Sequence, residues 1–456
     1  MGRLKIKGKQ ILPTMLLLFF LFPWQESDVA AKTQESANIS LQGRIEQANP
    51  GDVLKIEKGI YTGPIVITKP LKLIAEEGTI IDGGGKGNVV TIAANEVMLK
   101  GFTIQNSGKK PENCGILLKE VSDVIIDSNR ISNVLFGIYS DKSSSNAIKN
   151  NEIESFHTHF SKRGNGIHLF KGKDNVIENN KLVNVQDGIY FDFTSQNKIL
   201  LNTVEDSRYG FHFMFSEQIE AKENVIQKNI TGLMVMDSNN LRIINNQILN
   251  HFHVRAVGVL IYDAHNIVLE GNEIRQNSSG LYFEKARDTS IARNLIVANQ
   301  VGLEFKGENN TENVLKENNF IGNVVQSKIA KNDMRLDDND KGNYWDDYNS
   351  YDLTGDGIGE VPYKAGSIYD QILQSYPHWQ FYFESPAIKI WGKAESMFPS
   401  IGTANVYDEK PLIEPVNLQK EMKMANTNKT SRSILLYGLL LTASAIIVIL
   451  KGRRMG

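Results

Sequence analysis

The sequence predicts an all-β protein, a right-handed parallel β-helix with three faces and 22-residue rungs. A short apolar phrase that opens with glycine recurs nine times, at spacings of 22, 29, 22, 22, 22, 26, 22 and 22 residues. An asparagine precedes each later glycine at the same rhythm, and apolar columns lie three residues before and two residues after it. Each unit therefore holds three short alternating strands separated by polar turns. The glycines are Gly115, Gly137, Gly166, Gly188, Gly210, Gly232, Gly258, Gly280 and Gly302, and the asparagines are Asn129, Asn151, Asn180, Asn202, Asn224, Asn246, Asn272 and Asn294.

A unit of this size cannot bury its own apolar face, so copies of it must stack. Asparagine suits the corners because it tolerates the left-handed backbone conformation and its amide can bond the rungs above and below. A leucine-rich repeat is the alternative architecture. Its helix or Leu-x-Leu frame is absent, and this favours the β-helix.

Composition limits the function classes. The 456 residues carry 50 basic and 52 acidic side chains, a net charge of −2 without the basic stripe typical of nucleic-acid partners. The single cysteine, Cys114, excludes an internal disulfide and a multi-thiolate metal site. Its place before the first repeat glycine predicts a buried, inert thiol.

The N-terminus is typical of an export signal, which we place at residues 1–31. Basic residues precede an apolar core of twelve residues, Ile11 to Phe22. Small residues at Val29, Ala30 and Ala31 offer a cleavage site. An uncleaved anchor is the alternative interpretation.

A second apolar segment predicts a transmembrane helix at residues 433–451. Ile434 to Leu450 is an uncharged run of 17 residues, close to the minimum of about 17–25 needed to span a bilayer. Lys451, Arg453 and Arg454 follow it and favour the cytoplasmic side. We therefore expect a protein held on the extracytoplasmic face of the cell membrane by a single-pass C-terminal anchor.

The remaining chain divides into four predicted parts. Residues 32–112 form an N-terminal cap and first irregular rungs, with an amphipathic stretch from Ile39 to Ala48 as the cover of the first rung. Residues 113–325 form the regular helix and residues 326–380 form Trp/Asp-rich C-terminal rungs. Residues 381–432 form a linker or docking tail.

One segment of the C-terminal rungs resembles the first half of a calcium loop. Asp352, Thr354 and Asp356 supply oxygens, and Gly357 allows a sharp turn. The twelfth position is Tyr363, so the bidentate glutamate is missing. Calcium binding and a plain Gly-Asp turn both remain open.

The chemistry concentrates on one outer face. In each glycine phrase the first and third residues after glycine are predicted to point inward, and the second and fourth to point outward. The outward positions of two adjacent rungs carry His212, Met214, Met234 and Met236, with His168 two rungs away. The two long units place insertions beside the same face, and these carry four more histidines: His157, His159, His251 and His253.

Thioether and imidazole groups are suited to Cu(I) and poor ligands for Ca²⁺ or Mg²⁺. The pattern therefore predicts transient Cu(I) binding, with the four residues of the two adjacent rungs as the ligand core and the insertion histidines as gate or transfer ligands. Exposed methionines also serve as protein-docking surfaces, and the cluster could arise by chance. Docking and metal transfer can be one event.

An enzymatic function is not predicted, although this scaffold often serves polysaccharide lyases and hydrolases. Such enzymes need paired carboxylates at working distance. Asp192 is isolated among Tyr, His and Met, and Glu284 and Glu304 lie near the far end. Carbohydrate binding by outward Tyr190, Phe170 and Tyr282 stays open, so a polysaccharide-binding or polysaccharide-cleaving β-helix is the alternative function.

The order of these features resembles the NosD family. It is carried by Asn49-Pro-Gly-Asp, the 22-residue rungs, Asn343-Tyr-Trp-Asp-Asp-Tyr and Asp356-Gly-Ile-Gly-Glu-Val-Pro-Tyr, and by the tail segments Ser385-Pro-Ala-Ile-Lys and Lys410-Pro-Leu-Ile-Glu-Pro. The rungs are common to many β-helices, whereas the aromatic-acidic tail is more distinctive.

The resemblance implies an extracytoplasmic accessory protein for copper-site maturation of nitrous oxide reductase, in denitrification. It implies as partners an ABC transporter with ATPase and membrane subunits, a copper chaperone and the reductase, which would receive Cu(I) or a sulfur species. The family supplies no catalytic motif to carry over, so the His/Met assignment rests on the rung geometry. Many members are free periplasmic proteins, and the predicted C-terminal helix departs from that pattern.

Overall fold

The computed structural model describes residues 40–307, 309–329, 336–366, 376, 379, 382, 385–397 and 406–418. Three long parallel sheets of 12, 13 and 12 strands wind around one core in about 13 turns. This confirms the predicted three-faced parallel β-helix. The predicted signal peptide at 1–31 and transmembrane helix at 433–451 lie outside the described residues, among which no helix is long and apolar enough to cross a membrane.

Each turn contributes one strand to each sheet, and each strand pairs with its equivalent one turn later. Sheet A holds Val53–Ile56, Lys72–Ala75, Met98–Lys100, Ile125–Asp127, Ala147–Lys149, Val176–Glu178, Lys198–Leu200, Glu220–Lys222, Asn239–Ile244, His265–Glu270, Ser290–Ala292 and Val314–Lys316. Sheet B holds Ile60–Thr62, Ile80–Asp82, Thr103–Gln105, Arg130–Val134, Glu152–Ser155, Lys181–Val183, Thr203–Glu205, Val225–Gln227, Gln247–Leu249, Glu273–Arg275, Leu295–Val297, Asn319–Ile321 and Tyr344–Trp345. Sheet C holds Ile65–Ile67, Val90–Ile92, Cys114–Lys119, Phe136–Asp141, Ile167–Phe170, Asp187–Asp192, Tyr209–Met214, Thr231–Met236, Val257–Tyr262, Ser279–Glu284, Val301–Lys306 and Val325–Ile329.

The inward positions of sheet C are buried and apolar, as the alternation predicts, apart from Ser140 and Ser327. Phe211 pairs with Leu233 and Phe213 with Val235 across adjacent rungs. The Phe191 and Phe213 rings stack inside the helix with centroids 5.1 Å apart. Glycine opens each phrase because the backbone of the next rung approaches closely there and leaves no room for a side chain. A Cβ added at Gly280 would lie 2.7 Å from the carbonyl oxygen of Gly302.

The predicted asparagine corners form a buried hydrogen-bonded ladder. The side-chain oxygen of Asn224 accepts from the backbone N–H of Asn202 at 2.8 Å, and that of Asn246 accepts from Asn224 at 3.0 Å. The left-handed conformation falls on the residue before the ladder, such as Glu223 and Asn245, instead of on the ladder asparagine. The ladder residue is therefore chosen for its amide hydrogen bonds and not for tolerance of positive φ.

Both ends of the described helix are covered. At the N-terminal end, helix α1 (Leu41–Gln47) buries Leu41 and Ile45 over the first rungs, and the Ser40 hydroxyl caps it by accepting from the Gly43 N–H at 3.1 Å. At the other end, the buried Trp345 ring stacks on Phe320, with centroids 4.1 Å apart.

The chain returns to this C-terminal end from the tail. Strand Tyr407–Asp408 pairs antiparallel with Tyr363–Lys364. The Asp408 carboxylate is fully buried and accepts from the Trp345 indole N–H at 2.9 Å. A second helix, α2 (Pro386–Met397), belongs to the segment predicted as a linker or docking tail.

Candidate metal site on the outer face of sheet C

The outward residues of sheet C form two columns whose register agrees with the sequence prediction. In the first column His168, Tyr190, His212, Met234 and Leu260 are successive partners. In the second column the order is Phe170, Asp192, Met214, Met236 and Tyr262. Four predicted ligands therefore lie on two adjacent rungs, about 4.8 Å apart. We call His212, Met214, Met234 and Met236 the Met/His patch.

His212 points away from the core, yet it is only 8% exposed. The Tyr190 ring stacks on it at 4.4 Å, and the Tyr209 ring meets it edge-on at 5.2 Å. Its Nδ1 lies 3.0 Å from Oδ2 of the buried Asp187. Because a carboxylate only accepts, Nδ1 carries the proton and Nε2 keeps its lone pair. Nε2 is buried and has no hydrogen-bond partner.

Asp187 is stabilised as an anion by two hydrogen-bond donors, Arg208 and His212. Arg208 donates to both of its oxygens, at 2.8 and 2.7 Å. Burial alone would raise the pKa of Asp187, but the hydrogen bonds from His212 and Arg208 outweigh it and lower the pKa. A carboxylate on the far nitrogen is the usual support of a metal-ligating histidine, since it fixes the tautomer and the ring orientation.

The three methionines of the patch are half-buried. The Tyr190 hydroxyl lies 3.3 Å from the Met214 sulfur and donates to it. Met234 follows His212 in the first column, and Met236 follows Met214 in the second. Three methionines thus share two adjacent rungs of the sheet with one histidine.

His168 lies in the same column but two rungs, about 10 Å, from His212. The Tyr190 ring lies between them, 4.7 Å from His168. Burial lowers the pKa of His168 to about 4, so the ring is neutral at physiological pH. Its Nε2 is also buried without a partner. The patch lies on the second and third rungs from His168, so the fold does not bring His168 into contact with it, and His168 forms a separate neutral ligand.

The two insertions lie where they were expected, at the turn that leads into sheet C. His157 is 79% exposed, and the exposed His159 caps the short 3₁₀ helix Phe160–Lys162. His253 is exposed on the second insertion. These three side chains lie on solvent-facing loops.

His251 lies in a different environment, completely buried inside the wall. Its Nδ1 lies 3.0 Å from both the N–H and the carbonyl oxygen of Asn229, and its backbone N–H donates to the Asn277 amide oxygen at 3.1 Å. Its Nε2 is buried without a partner. His251 therefore fills an asparagine position in a second corner ladder. The structure does not bring it to the outer face.

The segment that resembles a calcium loop forms a turn closed by its own hydrogen bonds. The Asp352 carboxylate accepts from the N–H groups of Gly355 at 2.6 Å and Gly357 at 2.8 Å. Among the described residues, no group of three His, Cys, Asp or Glu side chains is arranged to hold a metal ion. The geometry offers calcium no support, and the thioethers of the patch fall outside that set of ligand types.

Sequence reasoning missed Asp187 and Arg208. Asp187 occupies the position directly before Gly188, where the other rungs carry no carboxylate. Comparing the residues before each repeat glycine would have singled it out. Its contact with His212 joins adjacent rungs, 25 residues apart, and only the stacked fold makes that contact visible.

Two rungs from the patch, toward the N-terminal end, the same face opens into a cavity of about 480 Å³. Tyr139 and Phe170 line it together with Lys119, Lys142 and Asp141. Burial raises the pKa of Tyr139 to about 12, so its hydroxyl stays protonated. The cavity is mixed in charge and rich in hydrogen-bonding groups.

Comparison with known proteins agrees with this architecture. The A-module of mannuronan C-5 epimerase AlgE6 from Azotobacter vinelandii superposes with a TM-score of 0.54 at 14% identity, covering 64% of this chain and 92% of that one. At that identity the likeness concerns the fold alone.

Sequence comparison is more specific. A protein described as "Probable ABC transporter binding protein NosD" from Pseudomonas aeruginosa is 28% identical over 373 residues, or 78% of this chain and 86% of the relative. A protein of the same description from Stutzerimonas stutzeri is 27% identical over 377 residues, or 79% and 86%. The family model described as "Periplasmic copper-binding protein (NosD)" matches residues 72–159 and 155–350, more than half of the chain. The chain therefore belongs to the NosD family.

Proposed function

We propose that this protein is an extracytoplasmic carrier that receives Cu(I) at the Met/His patch and delivers it to nitrous oxide reductase together with an ABC transporter. The observation that carries the proposal is His212. Asp187 fixes its Nδ1 proton at 3.0 Å and leaves a buried Nε2 lone pair without a partner. Met214 lies on the same rung, and Met234 and Met236 lie on the next rung.

The ligand chemistry supports Cu(I) as the cargo. One imidazole with thioethers is a soft ligand set that favours Cu(I) over hard cations. The half-buried setting keeps the methionines partly dry while leaving a path for exchange. A carrier needs this balance, since the ion must leave for the next protein.

The insertion histidines support a transfer route. His157 and His159 lie on one insertion and His253 on the other, and both insertions lead into sheet C. Exposed imidazoles there would meet a donor, such as a copper chaperone, or the reductase before the ion reaches or leaves the patch. His168 would be a waypoint on the N-terminal side. His251 has no part in this route, because it lies buried inside the wall.

The family description and the relatives' names support the cellular setting. A periplasmic copper-binding family and an ABC-transporter binding role fit a protein outside the cytoplasm that meets transporter ATPase and membrane subunits. In our proposal the segment 381–432 docks to the transporter, and residues 433–451 tether the protein to the membrane.

A glycan-binding function is the second candidate. The cavity of about 480 Å³ with Tyr139 and Phe170 in its lining favours it, because aromatic faces and mixed hydrogen-bonding groups suit sugars. A carbohydrate ligand would occupy that cavity and leave the thioethers unchanged. The two functions are therefore separable by experiment.

The test is an anaerobic Cu(I) titration of the full-length protein against a chromophoric chelator. We expect tight stoichiometric binding that is lost when Met214, Met234 and Met236 are all changed to leucine, because leucine keeps the volume and removes the sulfur. Met98→Leu is the matched control, since Met98 is half-buried on sheet A. Equal binding by the triple variant and the wild type would contradict the proposed site, and oligosaccharide screens would follow.

Delivery needs its own test. The copper-loaded protein is mixed with reductase apoprotein under anaerobic conditions, and metal on each protein is measured after separation. We expect transfer from the wild type and none from the triple variant. Retention of all copper by the loaded wild type, with or without transporter-containing membranes, would contradict the carrier role.

A further inference from the structure

The corner that follows eight successive sheet C strands, from Cys114–Lys119 to Ser279–Glu284, is formed by a single residue with left-handed backbone, at φ between +45° and +56°. Successive corner residues lie one rung apart. The backbone N–H of Phe193, for instance, donates to the carbonyl of Met214 on the next rung, and that of Phe215 to the carbonyl of Met236. From the N-terminal side the column reads Glu120, Lys142, Lys171, Phe193, Phe215, Asp237, Asp263 and Lys285.

Two members of this column differ in chemistry from the other six. Six of the eight are charged, whereas Phe193 and Phe215 are 53% and 42% exposed. Their rings stack on each other at 4.7 Å. A bulky side chain at positive φ is unfavourable, and a half-exposed aromatic ring contributes little to the stability of the monomer. The pair therefore fits a contact that covers it.

The charges around the pair define the kind of partner. Counted outward from the midpoint between Phe193 and Phe215, every basic residue on one side corresponds to an acidic residue on the other. A two-fold axis through that midpoint would place Lys171 opposite Asp237 of a second copy. It would likewise place Lys142 opposite Asp263 and Glu120 opposite Lys285. Self-complementarity of this kind is what an isologous dimer contact requires.

We propose that this corner is the surface through which two copies of the chain associate, antiparallel and Phe pair against Phe pair. Within one chain, Lys142 lies 3.2 Å from Glu120 and Lys285 lies 3.7 Å from Asp263, so the outer charges are partly satisfied already. Lys171 and Asp237 flank the Phe pair, and in this proposal they determine how the two copies are oriented.

The neighbouring residues permit such an approach. The next left-handed positions beside the axis are Gln196 and Gln218, which are uncharged. Both loop insertions lie at the opposite ends of the sheet C strands. The two-fold axis of such a dimer is perpendicular to the long axes of both β-helices. Both sheet C faces then lie on the same side of the dimer, so the two Met/His patches could serve one partner.

The expected strength follows from the shape. Eight rungs span about 34 Å, but a corner is narrow, which places the contact at the low end of specific interfaces, near or below about 1,200 Å² in total. We therefore expect a reversible dimer that weakens as salt is raised.

Sedimentation of the metal-free full-length protein in detergent tests the surface. The wild type is expected to show a monomer–dimer equilibrium. Phe193→Asn with Phe215→Asn is expected to raise its dissociation constant at least about tenfold. Asparagine tolerates positive φ, so this variant should unfold at the same or a higher temperature. A wild type that is monomeric at every concentration, or a dimer that survives this change, would overturn the proposal.

Charge reversal identifies the occupant as a second copy. In a dimer of Lys171→Asp alone, each new aspartate would face Asp237 of the other copy, and in a dimer of Asp237→Lys alone, each new lysine would face Lys171. Both arrangements are repulsive, so each variant is expected to be monomeric. Mixing the two restores both ion pairs and is expected to restore the dimer. Failure of the mixture to associate would show that the contact is not antiparallel and two-fold, and would overturn the proposal.

Discussion

Two polar columns run along this β-helix, and they differ in kind. The corner ladder repeats asparagine from rung to rung, and its amides are hydrogen-bonded above and below, as at Asn224 and Asn246. The outward column of sheet C changes residue at nearly every rung, and two of its imidazole nitrogens have no partner, those of His168 and His212. A repeated residue whose hydrogen bonds are all made is typical of a structural role. A column that varies and leaves ring nitrogens without a partner indicates a functional role.

The same contrast separates two histidines. At His251 the Nδ1 atom lies against the backbone of Asn229, 3.0 Å from both its N–H and its carbonyl oxygen, and Nε2 is enclosed inside the wall without a partner. At His212 the Nδ1–H donates to the Asp187 carboxylate, and Nε2 has no partner. Both rings therefore have an unpaired Nε2, and His212 is distinguished as a ligand by the carboxylate on its Nδ1 and by its place on the outer face of sheet C.

The largest expected effect is a ladder substitution. Asn224→Ala removes the acceptor of the Asn202 N–H and the donor to the Ile199 carbonyl, leaving several buried groups unpaired. At about 1–3 kcal/mol for each group, we expect a loss of about 3–5 kcal/mol in the free energy of unfolding. Urea denaturation would measure it. The folded variant should still bind copper with wild-type stoichiometry, and loss of copper with intact stability would reverse our assignment of this column.

Two buried carboxylates sharpen the comparison further. Asp187 faces the charged Arg208, whereas Asp408 faces only neutral donors, and burial raises the pKa of Asp408 to about 6 from an ordinary 3.8. Between about pH 4 and pH 6 the folded state holds a proton that the unfolded state has lost. The free energy of unfolding should therefore fall as the pH rises through this window, by up to about 3 kcal/mol.

Asp408→Asn cannot titrate and isolates this contribution. Urea denaturation of both proteins at pH 4 and pH 7 would show whether their difference in stability changes with pH. A difference that is the same at both values would contradict the raised pKa of Asp408.

Asp187→Asn tests the functional column. The amide keeps the shape and a bond to Arg208, but it no longer fixes the His212 tautomer as a carboxylate does. Loss of such a supporting group costs about 10–100-fold in metal affinity, and we expect that decrease for Cu(I). Chelator competition would measure it, with Asp192→Asn as a control, because Asp192 lies on the same rung without the His212 contact. An unchanged affinity would remove Asp187 from the site.

Much of this molecule could be predicted from sequence, because a stacked repeat makes each contact recur. The 22-residue period fixed which residues neighbour His212 and Met214 on the next rung, and it placed both insertions beside sheet C. What the period could not supply was anything that occurs once. Asp187 supports one histidine only, and His251 looks like an exposed loop residue until the ladder that includes it is built.

The smallest expected effect is also the sharpest test of that distinction. His251→Asn replaces the one histidine of its ladder with the residue found at Asn229 and Asn277 on either side, and its amide can accept from the Asn229 N–H as the imidazole does. We expect stability to change by less than about 1 kcal/mol and Cu(I) affinity to stay the same. Thermal unfolding and the chelator titration would measure both. A loss of copper affinity in this well-folded variant would show that a residue inside the wall reaches the ion, and would return His251 to the transfer route.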